Sequence, residues 1–139
     1  MKILRTDEEY RESIMKILRS KPKYFYLSTF NIFINNEVLE MFELMKKVKD
    51  VRVIVGLVDP SPKQLLFLKN TFVKHKIPVK LVTNFHMKTV TSDKKTIVGG
   101  RNLTKSNWVD LSFEIVAQES VVKMKDEFDK IYKKLQSIL

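Results

Sequence analysis

The chain has 139 residues, enough for one core that buries about two-thirds of the unfolded surface. It contains no Cys, which excludes disulfides and thiolate metal sites, and no apolar run near the roughly 18 residues that span a bilayer. Lys and Arg number 26 against 16 Asp and Glu; the formal charge of +10 suits a polyanionic partner, nucleic acid or an anionic membrane surface, or else serves solubility alone. The start turns polar by Arg5-Thr6-Asp7 before a signal-peptide core forms, so a cytoplasmic address is expected.

Thr6 with Glu9 reads as a capping box opening a helix, with Tyr10, Ile14, Ile17 and Leu18 on one apolar stripe. Pro22 ends that element, and the aromatic run Tyr24 to Phe30 predicts a strand. Asn35-Asn36 can cap a second helix, whose inner face would hold Val38, Met41, Phe42, Met45 and Val48. The apolar run Val51 to Val58 suits a buried strand. Asp59-Pro60-Ser61-Pro62 stops it and starts a third helix lined by Leu65, Leu68 and Phe72. Pro78 to Val82 is a further short strand. Thr89 to Thr91 and Thr96 to Val98 flank Ser92-Asp93-Lys94-Lys95 as a hairpin, and Leu111 to Gln118 is another strand. The closing segment carries Val121, Met124, Phe128, Ile131, Leu135 and Ile138 at helical spacing.

Strands separated by helices imply parallel pairing in the first half, and the hairpin adds antiparallel members. The expected fold class is α/β, a mixed β-sheet flanked by helices. The capped first helix and the full final stripe read as one self-sufficient domain over residues 1–139.

The chemistry-bearing residues lie between these elements. Two of the three glycines are adjacent, Gly99-Gly100, and follow a β-branched run. They suit close backbone approach to a ligand or an ordinary tight turn. Asn102 then offers an amide donor and acceptor. Upstream, His86 and Lys88 stand two apart on an expected strand, which puts both side chains on one face with Cα atoms about 6–7 Å apart. An imidazole and an ammonium so placed can address one phosphate: the ring attacks phosphorus while the cation neutralises its oxygens. No group of His and carboxylates has metal-ligand spacing, so no metal or cofactor is expected.

The series His86-Met87-Lys88, four residues, Asp93, five residues, Gly99-Gly100-Arg101-Asn102 resembles the His-x-Lys motif of the phospholipase D superfamily. The usual pattern has about six residues before a Gly-Ser-x-Asn or Gly-Gly-x-Asn end. This chain is one residue shorter there, and Gly100 stands where Ser is common. Glu114 resembles the acidic residue that follows the motif in many members, although Ser112 replaces the usual Asn two positions earlier.

The resemblance implies a phospholipase D-like domain with phosphodiesterase activity. Family members place two motifs around one pocket, without metal. One His forms a phosphohistidine, the other protonates the leaving alcohol, and Lys and Asn hold the phosphate oxygens. The implied catalytic set here is His86, Lys88, Asn102 and Glu114. Only one motif is present; His75, in Lys74-His75-Lys76, is expected to be a solvated helix-terminal residue. A C2 homodimer would supply the missing half, an arrangement similar to the small single-motif bacterial endonucleases of the family. The leading expectation is therefore an endonuclease acting on DNA or RNA. A phospholipid-acting phospholipase D or transphosphatidylase, and a non-catalytic nucleic-acid-binding module of the same fold, are the alternatives.

Asp93, Gly99 and Gly100 are expected to support the site, Asp93 as a partner of backbone or a basic side chain. Arg101 would bind a flanking phosphate or remain a solvated cation. Ser28, with Thr29, ends the first strand near the expected pocket. Trp108 would stack on a base or fill a core or dimer interface.

Overall fold

The computed structural model describes residues 1–104 and 110–138. Its elements in chain order are β1 (Lys2–Leu4), α1 (Asp7–Arg19), β2 (Tyr24–Phe30), α2 (Asn36–Met45), β3 (Asp50–Leu57), α3 (Pro62–Lys74), β4 (Val79–Thr83), β5 (Thr89–Ser92), β6 (Thr96–Gly99), β7 (Ser112–Ile115) and α4 (Gln118–Lys134). The first three helices start where side-chain caps allow. Thr6 accepts the Glu9 N–H, Asn35 the Val38 N–H and Ser61 the Gln64 N–H, each satisfying a donor that the helix leaves unpaired.

The strands form one mixed sheet in the order β1-β7-β6-β5-β2-β3-β4. Strands β2, β3 and β4 run parallel, and the β2–β5, β5–β6, β6–β7 and β7–β1 pairs are antiparallel. Alternation along β2 divides the core. Phe25 and Leu27 face the larger cluster, with residues of α1, α2 and α3. Tyr26 faces the smaller one, with Ile54, Val82, Phe85 and Phe128 of α4.

Three expectations are corrected. β1, a short edge strand paired with β7, is not among the expected elements. His86 and Lys88 precede β5 and do not lie in a strand. The last helix ends at Lys134, so Leu135 and Ile138 are not part of its stripe. The chain instead turns back along the edge of β4: the Leu81 N–H donates to Ser137 Oγ at 3.1 Å, and the Ile138 N–H donates to the Leu81 carbonyl at 2.7 Å. Lys80 Nζ donates to the Tyr132 and Leu135 carbonyls, occupying acceptors that the helix end leaves open.

Candidate active site

The C-terminal ends of β2 and β3 and the start of β5 lie together at one end of the sheet. Ser28 pairs with Thr89 in the register of β2 and β5, and their hydroxyls are 2.8 Å apart. The Thr89 N–H also donates to Ser28 Oγ at 3.0 Å. Ser28 is fully buried, so it ties the start of β5 to β2 instead of meeting substrate. The segment carrying His86 and Lys88 enters β5 directly from this tether.

His86 is exposed, and Lys88 and Asn102 are partly buried. Lys88 Nζ lies 3.5 Å from His86 Nδ1, so ring and cation border one volume although neither sits in a strand. The His86 ring stacks at a tilt on Phe30, with centroids 3.9 Å apart. Phe30 also reaches Asn102: its backbone N–H donates to Asn102 Oδ1 at 3.0 Å. That bond commits the carboxamide oxygen and leaves the NH2 group as the donor for an anionic ligand.

Two further bonds dock the Asn102 segment on β2 and on the segment that follows it. The Leu103 N–H donates to Thr29 Oγ1 at 3.1 Å, and the Phe33 N–H donates to the Leu103 carbonyl at 2.8 Å. Thr29 is fully buried and its hydroxyl donates to the Asn31 carbonyl. Asn31 takes a left-handed conformation with φ 66°, and its N–H donates to the Gly56 carbonyl at 2.7 Å.

The glycines serve close approach. Gly99 has φ 146°, and a Cβ there would meet the Leu111 carbonyl at 2.5 Å. A Cβ on Gly100 would overlap the Asp110 carboxylate, which fills the space a serine side chain would need. Gly56, not singled out from the sequence, lies directly beneath the Phe85 carbonyl, so only glycine lets the His86 segment cross β3 so closely. Phe30 joins Gly56 as a residue of the site that carries no chemical signal in the sequence. Its place at the end of the first strand was visible in the sequence, but nothing there signalled contact with both His86 and Asn102.

The remaining candidates lie elsewhere. Arg101 is buried and clamps the loop to the chain's start, through Asp7, the Arg5 carbonyl at 2.5 Å and the Asp110 carbonyl at 3.0 Å. It is neither a groove residue nor a solvated cation. Glu114 sits on β7, where Ser13 donates to it at 2.6 Å and Lys95 pairs with it at 2.9 Å. Burial alone would raise its pKa, but the Ser13 bond and the Lys95 and Lys2 charges hold it below the ordinary carboxylate value. Its carboxylate shares the α1 side of the sheet with Ile97, its register partner, and is not joined to His86, Lys88 or Asn102 by any bond among the described residues. Asp93 accepts the Lys23 N–H at 2.9 Å, at the opposite end of β5 from Thr89. His75 caps α3 and is largely covered, its ring beside Phe42 and its Nδ1 3.5 Å from Glu43, so it is terminal but not solvated. Trp108 lies outside the described residues.

The sequence matches the family model described as cardiolipin synthase, PLD-like domain, over residues 14–136. No curated protein matches it. Among solved structures, the fold is shared with Nuc from Salmonella typhimurium, described as a phospholipase D family member, at TM-score 0.76 and 14% identity, covering 98% of this chain and 97% of that one. NucT from Helicobacter pylori superposes at TM-score 0.67 and 13% identity, covering 99% and 98%. Phosphatidylserine synthase from Haemophilus influenzae superposes at TM-score 0.71 and 15% identity, over 91% of this chain and 36% of that one.

Proposed function

The chain belongs to the phospholipase D-like domain family, and on that premise we propose that it is a metal-independent phosphodiesterase cutting nucleic acid at a site shared by two subunits. The observations that support this reading are the two contacts of Phe30, its ring against His86 and its backbone N–H on Asn102, with Lys88 3.5 Å from the His86 ring. The charge of +10 favours a long polyanion over a single headgroup.

Nε2 of His86 attacks phosphorus from the tautomer that keeps the proton on Nδ1, and Lys88, 3.5 Å from Nδ1 and unable to accept that proton, turns its charge to the phosphate. A P–N bond forms as the P–O bond to the leaving alcohol breaks, and that oxygen takes the electron pair. Lys88 and the Asn102 NH2 hold the non-bridging oxygens as charge develops on them. One chain supplies a nucleophile without its acid. His86 of the partner subunit then protonates the leaving oxygen and afterwards takes a proton from the water that cleaves the P–N bond. The step needs one imidazole neutral as nucleophile and the other protonated as acid.

A second reading has its own support. The family description names cardiolipin synthase, and phosphatidylserine synthase shares the fold, both of which favour a phospholipid substrate. Among the described residues no helix is long and apolar enough to cross a membrane.

The test is incubation with plasmid, labelled single strands and phospholipid vesicles, each with and without EDTA, beside sedimentation of the protein. Nucleic-acid cleavage that survives EDTA and disappears in His86→Asn, with a dimer in both proteins, is the expected result. Full activity in His86→Asn, or a cleaving monomer, overturns the shared site. Turnover of phospholipid alone decides for the second reading, and binding without turnover for a non-catalytic module.

A further inference from the structure

The end of the sheet away from His86 is ringed by lysines. The α1–β2 connection carries Lys21 and Lys23, the α2–β3 connection Lys47 and Lys49, and the α3–β4 connection Lys76; Lys74 ends α3, and Lys94 lies in the β5–β6 turn. All seven are exposed, and none has an ion-pair partner among the described residues. The nearby acids are committed elsewhere: Asp50 to Tyr26 and Arg52, Asp93 to the Lys23 N–H, Glu43 to Lys46.

Strand register aligns these cations. Tyr24 pairs with Asp50 and Phe25 with Ser92. Continued one residue outward, the β2–β3 register brings Lys23 beside Lys49, and the bond from the Lys23 N–H to Asp93 ties Lys23 to the turn that carries Lys94. Neighbouring strands are about 4.8 Å apart, and like charges set opposite one another oppose folding. Helix dipoles account for part of the charge, because cations are favoured in a helix's last turn. Lys23, Lys49 and Lys94 lie beyond that reach. Lys21 and Lys76 hold φ of 53° and 55°, a conformation that glycine adopts without steric cost. The fold thus keeps lysine at two positions where a neutral residue would be easier to accommodate.

We propose that this lysine rim is a second, non-catalytic contact for the phosphate backbone of a long nucleic acid. It lies the length of β2, roughly 20 Å, from the His86 end, so it grips a different stretch from the one being cut. A lipid surface fits it less well. Of the exposed large apolar side chains among the described residues, Val73 stands at the β4 side of this end and, by strand register, Met1 and Val116 at the β1–β7 side, so apolar groups flank the lysines instead of forming one face with them to insert into a bilayer. The proposal shares with the proposed function the choice of polyanion but does not need the chain to be cut.

The experiment uses the full chain carrying His86→Ala, which separates binding from turnover, with a long and a short labelled single strand. Combining Lys23→Gln, Lys49→Gln, Lys76→Gln and Lys94→Gln should reduce the slope of log affinity against log salt by about 2–3 for the long strand, as expected for four lost phosphate contacts. The short strand should bind as before. With His86 restored, the rim variant should hydrolyse bis(p-nitrophenyl) phosphate at the unaltered rate. An unchanged slope overturns the proposal, as does a loss confined to anionic phospholipid vesicles. A second variant guards against a folding artefact. Lys21→Gly with Lys76→Gly should raise Tm while weakening long-strand binding, and a raised Tm with unaltered binding assigns these lysines to the loops alone. Rim-dependent binding without any cleavage removes the cleavage reading and leaves this one standing; cleavage with an unaltered slope does the reverse.

Discussion

Asn102 accepts the backbone N–H of Phe30 at 3.0 Å, so the last residue of β2 decides which way the carboxamide faces. Asn102→Asp keeps an acceptor for that N–H but offers an anionic oxygen where the NH2 would meet phosphate. The expected loss is about 100- to 1,000-fold in kcat, with stability changed by less than about 1 kcal/mol. Asn102→Leu removes the acceptor too and should cost about 1–3 kcal/mol as the Phe30 N–H loses its partner. Rate measurements beside thermal unfolding separate the two effects, and a fully active Asn102→Asp protein would remove Asn102 from phosphate binding.

Gly56 carries the crossing of the His86 segment over β3. Gly56→Ala sets a methyl group against the Phe85 carbonyl, and overpacking of this kind costs about 1–3 kcal/mol. Because Phe85 adjoins His86, kcat/KM should fall further than the loss of folded protein accounts for. A lowered Tm with unaltered kcat/KM would mean that the segment yields without moving the ring.

Arg101 holds the loop and touches no groove, so its variants should behave as stability variants. Arg101→Lys keeps the charge but loses the fork that spans Asp7 and two carbonyls. A loss of about 1–3 kcal/mol is expected in denaturant unfolding, with KM for a long substrate nearly unaltered. A large rise in KM without loss of stability would restore Arg101 to the substrate surface.

Glu114 predicts an acid limb. Its carboxyl is held below the ordinary value in the folded chain, so its contribution to stability is complete above the unfolded carboxylate pKa of about 4.3 and is lost as pH falls through the lower folded value. Glu114→Gln should flatten the fall of Tm on acidification over that range while leaving the pH profile of cleavage in place. A changed cleavage profile with an unaltered acid limb would return Glu114 to the chemistry.

Most of the fold is legible in the sequence because it rests on local signals. Thr6, Asn35 and Ser61 mark three helix starts, and the aromatic run Tyr24–Phe30 is a strand over the residues expected. Burial is less legible. Ser28 and Arg101 read as surface groups because nothing local marks the partners that bury them, Thr89 for one and Asp7 with two distant carbonyls for the other. The helical stripe of α4 overshoots for a related reason. Leu135 fits the period, but the chain beyond it finds hydrogen bonds on the neighbouring strand. For the site, spacing marks out His86, Lys88 and Asn102, yet not Phe30 between them, since an aromatic at a strand end carries no chemical signature of its own.

The return of the chain along β4 bears on how copies of the protein meet. An open strand edge is a template for another chain, and here the outward N–H and carbonyl of Leu81 are already taken by Ser137 and Ile138. A second copy cannot extend the sheet past Leu81 without displacing that tail. Edge-to-edge growth of the sheet at this strand is thereby opposed within a single copy, by hydrogen bonds that the chain makes to itself.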